Sequence, residues 1–403
     1  MGDLLHGLLG ISVVFLLAYL LSYNRREIRW RPIIIGFAVQ FVFALIVLKW
    51  SAGREMLKRV SDGVSSVISY ANEGIMFLFG GLYSEQSGIA FVMAFNVLPL
   101  IIFFASLIAI LYHLGIMQLF IKYIGGAISK LMGTSQAESV SAAANIFVGY
   151  TEAPLVIKPY IANLTRSEMF AVLTGGLASV SGSVLASYSA LGVPMEYLIA
   201  GAFMSAPAGL VLAKIVMPET EQIVNKQVKF EKSDSVNVVD AAANGAIDGL
   251  KLAANVGALL LAFVALIALA NGLVGWVAGW FGYEITIQQM LGYLFAPLVF
   301  AIGVPWNDAV IAGSLLGQKL VLNEFVAYID FAKHMKSLDE KTIGIMSFAL
   351  LGFANVSSMA VLIGGVGGMA PTRRGEIAKV GLKVILAGAL ASVLNGAIAG
   401  MLL

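Results

Sequence analysis

Apolar residues fall into blocks along this chain, and most blocks approach the roughly 20 residues that a helix needs to cross a hydrocarbon core of ~30 Å. They span residues 4–23, 32–49, 88–112, 168–190, 197–217, 248–280, 343–369 and 380–403, which predicts eight transmembrane helices. The block at 248–280 exceeds one perpendicular crossing, so it must tilt or extend past the interface. The first block follows no positive leader and outruns the core of a signal peptide, so it reads as a retained span. Residues 51–75 carry Arg54, Lys58 and Arg59 and read as an interfacial amphipathic helix.

Two further apolar stretches, 138–161 and 289–326, do not behave as simple spans. Each carries a carboxylate with Gly or Pro near its middle, in Gly149-Tyr150-Thr151-Glu152-Ala153-Pro154 and in Gly313 to Glu324. They predict two opposed re-entrant hairpins, the turn of the second near Asp308, each holding a buried acid. A span interrupted by small polar residues follows each acid: Ser179-Val180-Ser181-Gly182-Ser183 after Glu152, and Phe353-Ala354-Asn355-Val356-Ser357-Ser358 after Glu324. Paired broken segments in the two halves of a chain point to a secondary transporter built from an inverted repeat, with its site between the repeats near the midplane. Non-helical backbone survives at that depth only where protein or a water-filled cavity satisfies it.

The polar run Glu219 to Asp248 is the one linker-like segment and divides the chain into comparable halves. The predicted division is 1–112 as N-terminal scaffold helices with the interfacial helix, and 113–218 as the first hairpin and broken helix of a transport domain. A linker at 219–247 and a scaffold helix at 248–282 follow, and 283–403 carries the second hairpin, second broken helix and last span.

Composition agrees with an all-α polytopic membrane protein: 59% of the 403 residues are hydrophobic and 12% charged, against roughly a quarter charged in soluble domains. Mean hydropathy is +0.90. A net charge of +2 gives no basic footprint for nucleic acid. The chain has no cysteine, and His6, His113 and His334 lie far apart, so thiolate zinc sites and helical histidine pairs are excluded. No His-Glu-x-x-His or Gly-x-Ser-x-Gly motif suggests an enzyme. Arg25, Arg26, Arg29 and Arg31 after the first span put that loop in the cytoplasm and both termini outside. Arg54, Lys58 and Arg59, and Lys333, Lys336 and Lys341, fall on the predicted outer side and oppose the scheme.

A charge at the centre of a spanning helix costs about 2.5–3.5 kcal/mol on insertion scales, so Glu152 and Glu324 require a function or a partner. Lys158 and Lys319 are near enough in sequence to be structural ion-pair partners. The other reading is a hydrogen-bonding site for a neutral polyhydroxy ligand, supplied by Thr151, Asn323 and the Ser and Asn clusters. Asn145, Ser179 and Ser183 are oxygen ligands suited to sodium beside Gly149 and Gly182, or else hydroxyls and an amide bonded back to their own helices. Phe353 and Leu252, taken alone, read as packing, and Trp276, Trp280 and Trp306 as interfacial anchors.

Asn145 to Pro159, Ser179 to Tyr188, Asn323 to Tyr328 and Gly352 to Ser358 together resemble the concentrative nucleoside transporter family, in its bacterial form, over essentially the whole chain. The resemblance implies a homotrimer of subunits with eight transmembrane helices, interfacial helices and two re-entrant hairpins. It implies sodium-coupled import of nucleosides such as uridine across the bacterial inner membrane by elevator-type alternating access, with proton coupling the alternative and a channel a third reading. It puts the nucleobase at Gly149, Tyr150, Thr151 and Glu152, the ribose at Glu324, Asn355 and Ser358, Phe353 and Leu252 beside the base, and Val184 on the pocket wall. Sodium would meet Asn145, Ser179 and the carbonyls of Val148 and Val180. Tyr150 stands where the family usually has Gln, which leaves base selectivity open.

Overall fold

A computed structural model of the chain describes residues 2–83, 92–224, 228, 235–280, 282 and 285–403, and every regular element among them is helical. In chain order the helices are α1 (Gly2–Leu21), α2 (Trp30–Leu48), α3 (Ser51–Tyr83), α4 (Met93–Asn96), α5 (Leu98–His113), α6 (Ile116–Met132) and α7 (Gln136–Ala144). After a 3-10 segment, Ala153–Asn163, come α8 (Arg166–Ala178), α9 (Gly182–Ala190), α10 (Met195–Val216) and α11 (Val238–Gly279). The last six are α12 (Ile287–Ala301), α13 (Trp306–Val321), α14 (Glu324–His334), α15 (Glu340–Ala349), α16 (Val356–Met369) and α17 (Arg374–Leu402).

Six stretches among the described residues are long and apolar enough to cross a membrane, and a seventh if α12 and α13, bent by 116° at their junction, count as one. Of the other predicted crossings, the first has a described apolar helix of Leu5–Leu21, and 343–369 is divided between α15 and α16. The helix predicted to be interfacial is longer than its sequence pattern suggests, a single 33-residue α3. Residues 84–91, at the predicted start of the third span, lie outside the described residues. Within the predicted linker, 225–227 and 229–234 also lie outside them. The linker ends early, because the Asn237 side chain accepts a hydrogen bond from Asp240 N (2.9 Å) and starts α11 at Val238.

The second predicted hairpin, 289–326, contains this bend. The chain bends at 302–305, where Gly303 (φ +107°) and Pro305 stop α12, and breaks again at Leu322–Asn323. Asp308 stands three residues past the bend. It lies in the first turn of α13 and accepts bonds from Thr342 Oγ1 (2.6 Å) and Asp339 N (3.0 Å), which tie α13 to the start of α15.

Helices α8 to α10 form the centre, with 94% of their spanning windows buried, and α17 packs against α1, α8, α10 and α15. A polar chain crosses this bundle: Gln40 on α2 donates to Asn395 on α17 (2.6 Å), which donates to Ser205 on α10 (3.0 Å). Helices α1 and α2 pack on α10 and α17. Helix α11, whose window is 11% buried, instead packs on α5. Gly245 and Gly249 permit that approach, since a Cβ on either would lie 2.7 Å from Ala105 O or Ile102 Cα. The outer face of α11 leaves Leu261, Leu269, Trp276 and Trp280 exposed.

The first hairpin is anchored at its base. Ser135 with Glu138 and Thr165 with Glu168 form capping boxes at the starts of α7 and α8. Buried Lys214, at the end of α10, pairs with Glu138 (2.6 Å) and Glu219 (3.8 Å) and donates to Ser167 Oγ (2.9 Å). A buried cation with two acids and a hydroxyl compensates its own desolvation and fixes three helix ends together.

Candidate substrate and ion site

Both halves follow one order: a helix that stops at a break, a second segment, a helix interrupted in its middle, and a long continuous helix. The interruptions, at 179–181 and 350–355, meet each other, and Phe353 N donates to Ser179 O (3.3 Å). Gly352 makes this crossing feasible. Its φ is +135°, and an added Cβ would lie 2.7 Å from Ser392 Oγ and 2.9 Å from Leu177 O.

In the first half, α7 ends at Asn145, whose Nδ2 donates back to Ser141 O (2.9 Å). Its Oδ1 is buried and has no partner. Ser179 Oγ, just past the end of α8, donates to Asn145 O (2.9 Å), and Gly182 N donates to Phe147 O (3.0 Å). The structure thus joins Asn145 to Ser179 and places Val148 and Val180 in the same two breaks. Leaving a buried acceptor unpaired costs about 1–3 kcal/mol, and a junction of neutral oxygens with one orphan fits a hard monovalent cation. Ser183 does not join this set; its hydroxyl pairs with Ser181 (3.0 Å).

In the second half, Asn323 caps α14 by accepting from Val326 N (2.9 Å) and makes Glu324 its first residue. Glu324 is 5% exposed; its Oε1 accepts from Tyr188 OH (3.2 Å) and its Oε2 from Asn355 Nδ2 (3.1 Å). Asn355 in turn caps α16, its Oδ1 accepting from Ser358 N (2.8 Å) and Ser357 Oγ (2.7 Å). The proposed partnership of Lys319 with Glu324 is not a salt bridge: the Lys319 ammonium bonds Ala349 O (2.9 Å) and Leu351 O (3.5 Å).

The tip of the first hairpin closes on this arrangement. The Tyr150 ring lies 4.8 Å from that of Phe353, its hydroxyl meets Ser358, and its Cβ is backed by Gly176. Thr151 approaches Gly365 of α16. Gly149, Tyr150, Thr151, Phe353, Asn355, Ser358 and Glu324 therefore belong to one neighbourhood, while Val184 is buried on α9 and Leu252 half-buried on α11. Glu152 corrects the expectation of two buried acids. It is accessible to solvent, and its carboxylate folds back toward Thr151 and Gly149. Lys158 is exposed as well and forms no ion pair with it.

Two contributors escaped the sequence reading. A tyrosine in an apolar helix looks like packing, yet Tyr188 is fully buried, stacks on Tyr328 at 4.0 Å and holds Glu324. Lys319 could be read only as a partner for the nearest acid, because the carbonyls it meets lie 30 and 32 residues later.

Three family descriptions cover nearly the whole chain: "Na+ dependent nucleoside transporter N-terminus" over residues 9–82, "Nucleoside recognition" over 94–195, and "Na+ dependent nucleoside transporter C-terminus" over 197–400. The chain is 54% identical to the uncharacterised transporter YutK of Bacillus subtilis (strain 168), covering 99% of each protein. It is 49% identical to the nucleoside permease NupC of Helicobacter pylori, covering 98% of this chain and 97% of that one. Among solved structures it matches the transporter CNTnw in an inward-facing, substrate-bound state, with TM-score 0.96 and 52% identity over 99% of this chain and 98% of the other. An outward-facing state of a doubly substituted CNTnw matches at TM-score 0.95 and 52% identity, over 99% and 97%.

Proposed function

This chain belongs to the family of Na+ dependent nucleoside transporters, and from that premise we propose that it is a sodium-coupled symporter that imports nucleosides across the bacterial inner membrane. The observation that carries the reading is the buried Glu324 carboxylate, held by Tyr188 and Asn355 in the same neighbourhood as the Tyr150–Phe353 pair. A ribose diol can donate to a carboxylate through charge-assisted bonds. An aromatic pair accepts the flat face of a base. Glu324, Asn355 and Ser358 hold the ribose; Gly149, Tyr150, Thr151 and Glu152 face the base, with Phe353, Leu252 and Val184 around it.

Sodium is the coupling ion, taken by Asn145 and Ser179 with the carbonyls of Val148 and Val180. The unpartnered Asn145 Oδ1 supports this set. Ion and nucleoside then favour one occupied state, a coupling free energy between two sites. Transport proceeds by elevator-type movement of the hairpin-bearing bundle against a scaffold centred on α5 and α11. The subunit crosses the membrane eight times with both termini outside, and the exposed apolar face of α11 meets lipid or the other copies of a homotrimer.

Purified protein in liposomes should accumulate labelled uridine when an inward sodium gradient is imposed, with saturable uptake. Equal accumulation driven by a pH gradient in sodium-free, potassium-buffered liposomes would replace sodium by protons, a reading for which the burial of Glu324 is the motive. Conductance without saturation would make the protein a channel.

A further inference from the structure

We infer that Lys319 is a tethered cation serving the second broken helix as the coupling ion serves the first, so that the Glu324 half of the site is held in shape with no ion bound. The inference rests on the sodium reading above and extends it to a residue that reading does not use.

The two halves can be aligned on their acids. Ser179 and Leu351 each stand 27 residues after Glu152 and Glu324, at the break of the following helix. In both halves that break frees main-chain oxygens near the C-terminal end of a helix, where the macrodipole favours positive charge. The halves differ in what precedes the acid. Five residues before Glu324 stands Lys319, and the same position before Glu152 is Phe147. Seven residues before Glu152 stands Asn145, and the same position before Glu324 is Gly317, which has no side chain to offer an ion. One half thus has a neutral amide with an unpartnered oxygen and the other an ammonium.

That ammonium is fully buried and is directed at the break, with bonds to Ala349 O and Leu351 O. A lysine buried at depth needs compensation for desolvation, and two carbonyls at a helix end supply it. The segment it fastens leads directly into Phe353, which bonds Ser179, and Asn355, which bonds Glu324. Lys319 is therefore a positioning residue: it touches no ligand group itself and fixes the backbone that presents two of them.

Two measurements test this. In the wild-type protein, hydrogen–deuterium exchange with and without sodium should show sodium slowing exchange at 145–152 and 179–182 while leaving 349–352, the part of the second break that Lys319 fastens, unchanged. Equal sodium protection of both breaks would overturn the inference. In nucleoside binding at saturating sodium, Lys319→Met should lose about tenfold or more in affinity, with less than about a twofold change in the half-saturating sodium concentration. Lys319→Arg, which keeps charge and donors, should recover part of that loss. Wild-type affinity in Lys319→Met, or no recovery in Lys319→Arg, would also overturn it. If Lys319→Met does not fold, the wild-type exchange experiment decides. If sodium protects neither break and does not affect nucleoside binding, the sodium reading fails. The nucleoside affinities of the Lys319 variants, measured without sodium, then still decide whether Lys319 positions the Glu324 half.

Discussion

Glu152 and Glu324 occupy matching places in the two halves, yet they live in different surroundings. Glu324 is 5% exposed, bonded to Tyr188 and Asn355, and set at the start of a capped helix. Glu152 is exposed on a turn and folds back on that turn. The preorganised half can supply binding free energy as soon as a ligand arrives, because the entropy of ordering its groups is already spent. The first half instead keeps a buried acceptor without a partner, Asn145 Oδ1, which makes it the place where an ion can exert control.

The comparison breaks most sharply at Glu324→Gln. Replacing the carboxylate removes charge-assisted acceptance and disturbs two buried donors, at a cost of about 1.5–3 kcal/mol, or about ten- to a hundredfold in uridine affinity. Equilibrium binding to the purified variant, with its oligomeric state checked by size exclusion, measures this. Wild-type affinity would show that the buried half does not hold the ribose.

Asn145→Ala and Ser179→Ala address the conditional half. Each should raise the sodium concentration for half-maximal uptake by about tenfold, on the order of one lost ligand interaction. The order of nucleoside competitors should stay the same. A changed order with unchanged sodium activation would assign both residues to the substrate.

Glu152→Gln should be milder than Glu324→Gln, below about fivefold in affinity, because the Glu152 carboxylate is open to solvent and bonds within its own turn instead of holding two buried donors from other helices. If the two variants lose equally, the difference in burial has no energetic meaning and the halves are equivalent.

Tyr150→Gln should have the smallest effect on affinity, about two- to threefold, while changing the ranking of bases. A phenol offers one rotatable hydroxyl and a flat face, whereas a Gln amide offers both a donor and an acceptor to a base edge. Competition of uridine uptake by cytidine, adenosine and inosine reads the ranking. An unchanged profile would mean that the Tyr150 ring serves only to pack on Phe353.

Much of this architecture was legible because hydropathy and break-forming residues act locally. Gly149 and Pro154, Ser179 to Ser183, and Asn355 mark interruptions that the structure contains, and the motifs around Glu324 and Asn355 announced residues that do meet. What stayed hidden depends on distant contacts. The second break, at Leu322–Asn323, could not be read from sequence, since the apolar pattern runs through it. Tyr188 and Lys319 acquire their roles from partners 136 and 30 residues away, beyond the reach of any periodic signal.

A hydrogen bond from Phe353 N to Ser179 O, at 3.3 Å, joins the backbone proposed to lie beside the base to the residue proposed to meet the ion. Whatever free energy passes through that junction must pass in both directions. If sodium tightens nucleoside binding by some factor, nucleoside must tighten sodium binding by the same factor. A cell rich in external nucleoside would then load the carrier at lower external sodium, and the threshold gradient for uptake would be set by the cargo as much as by the salt.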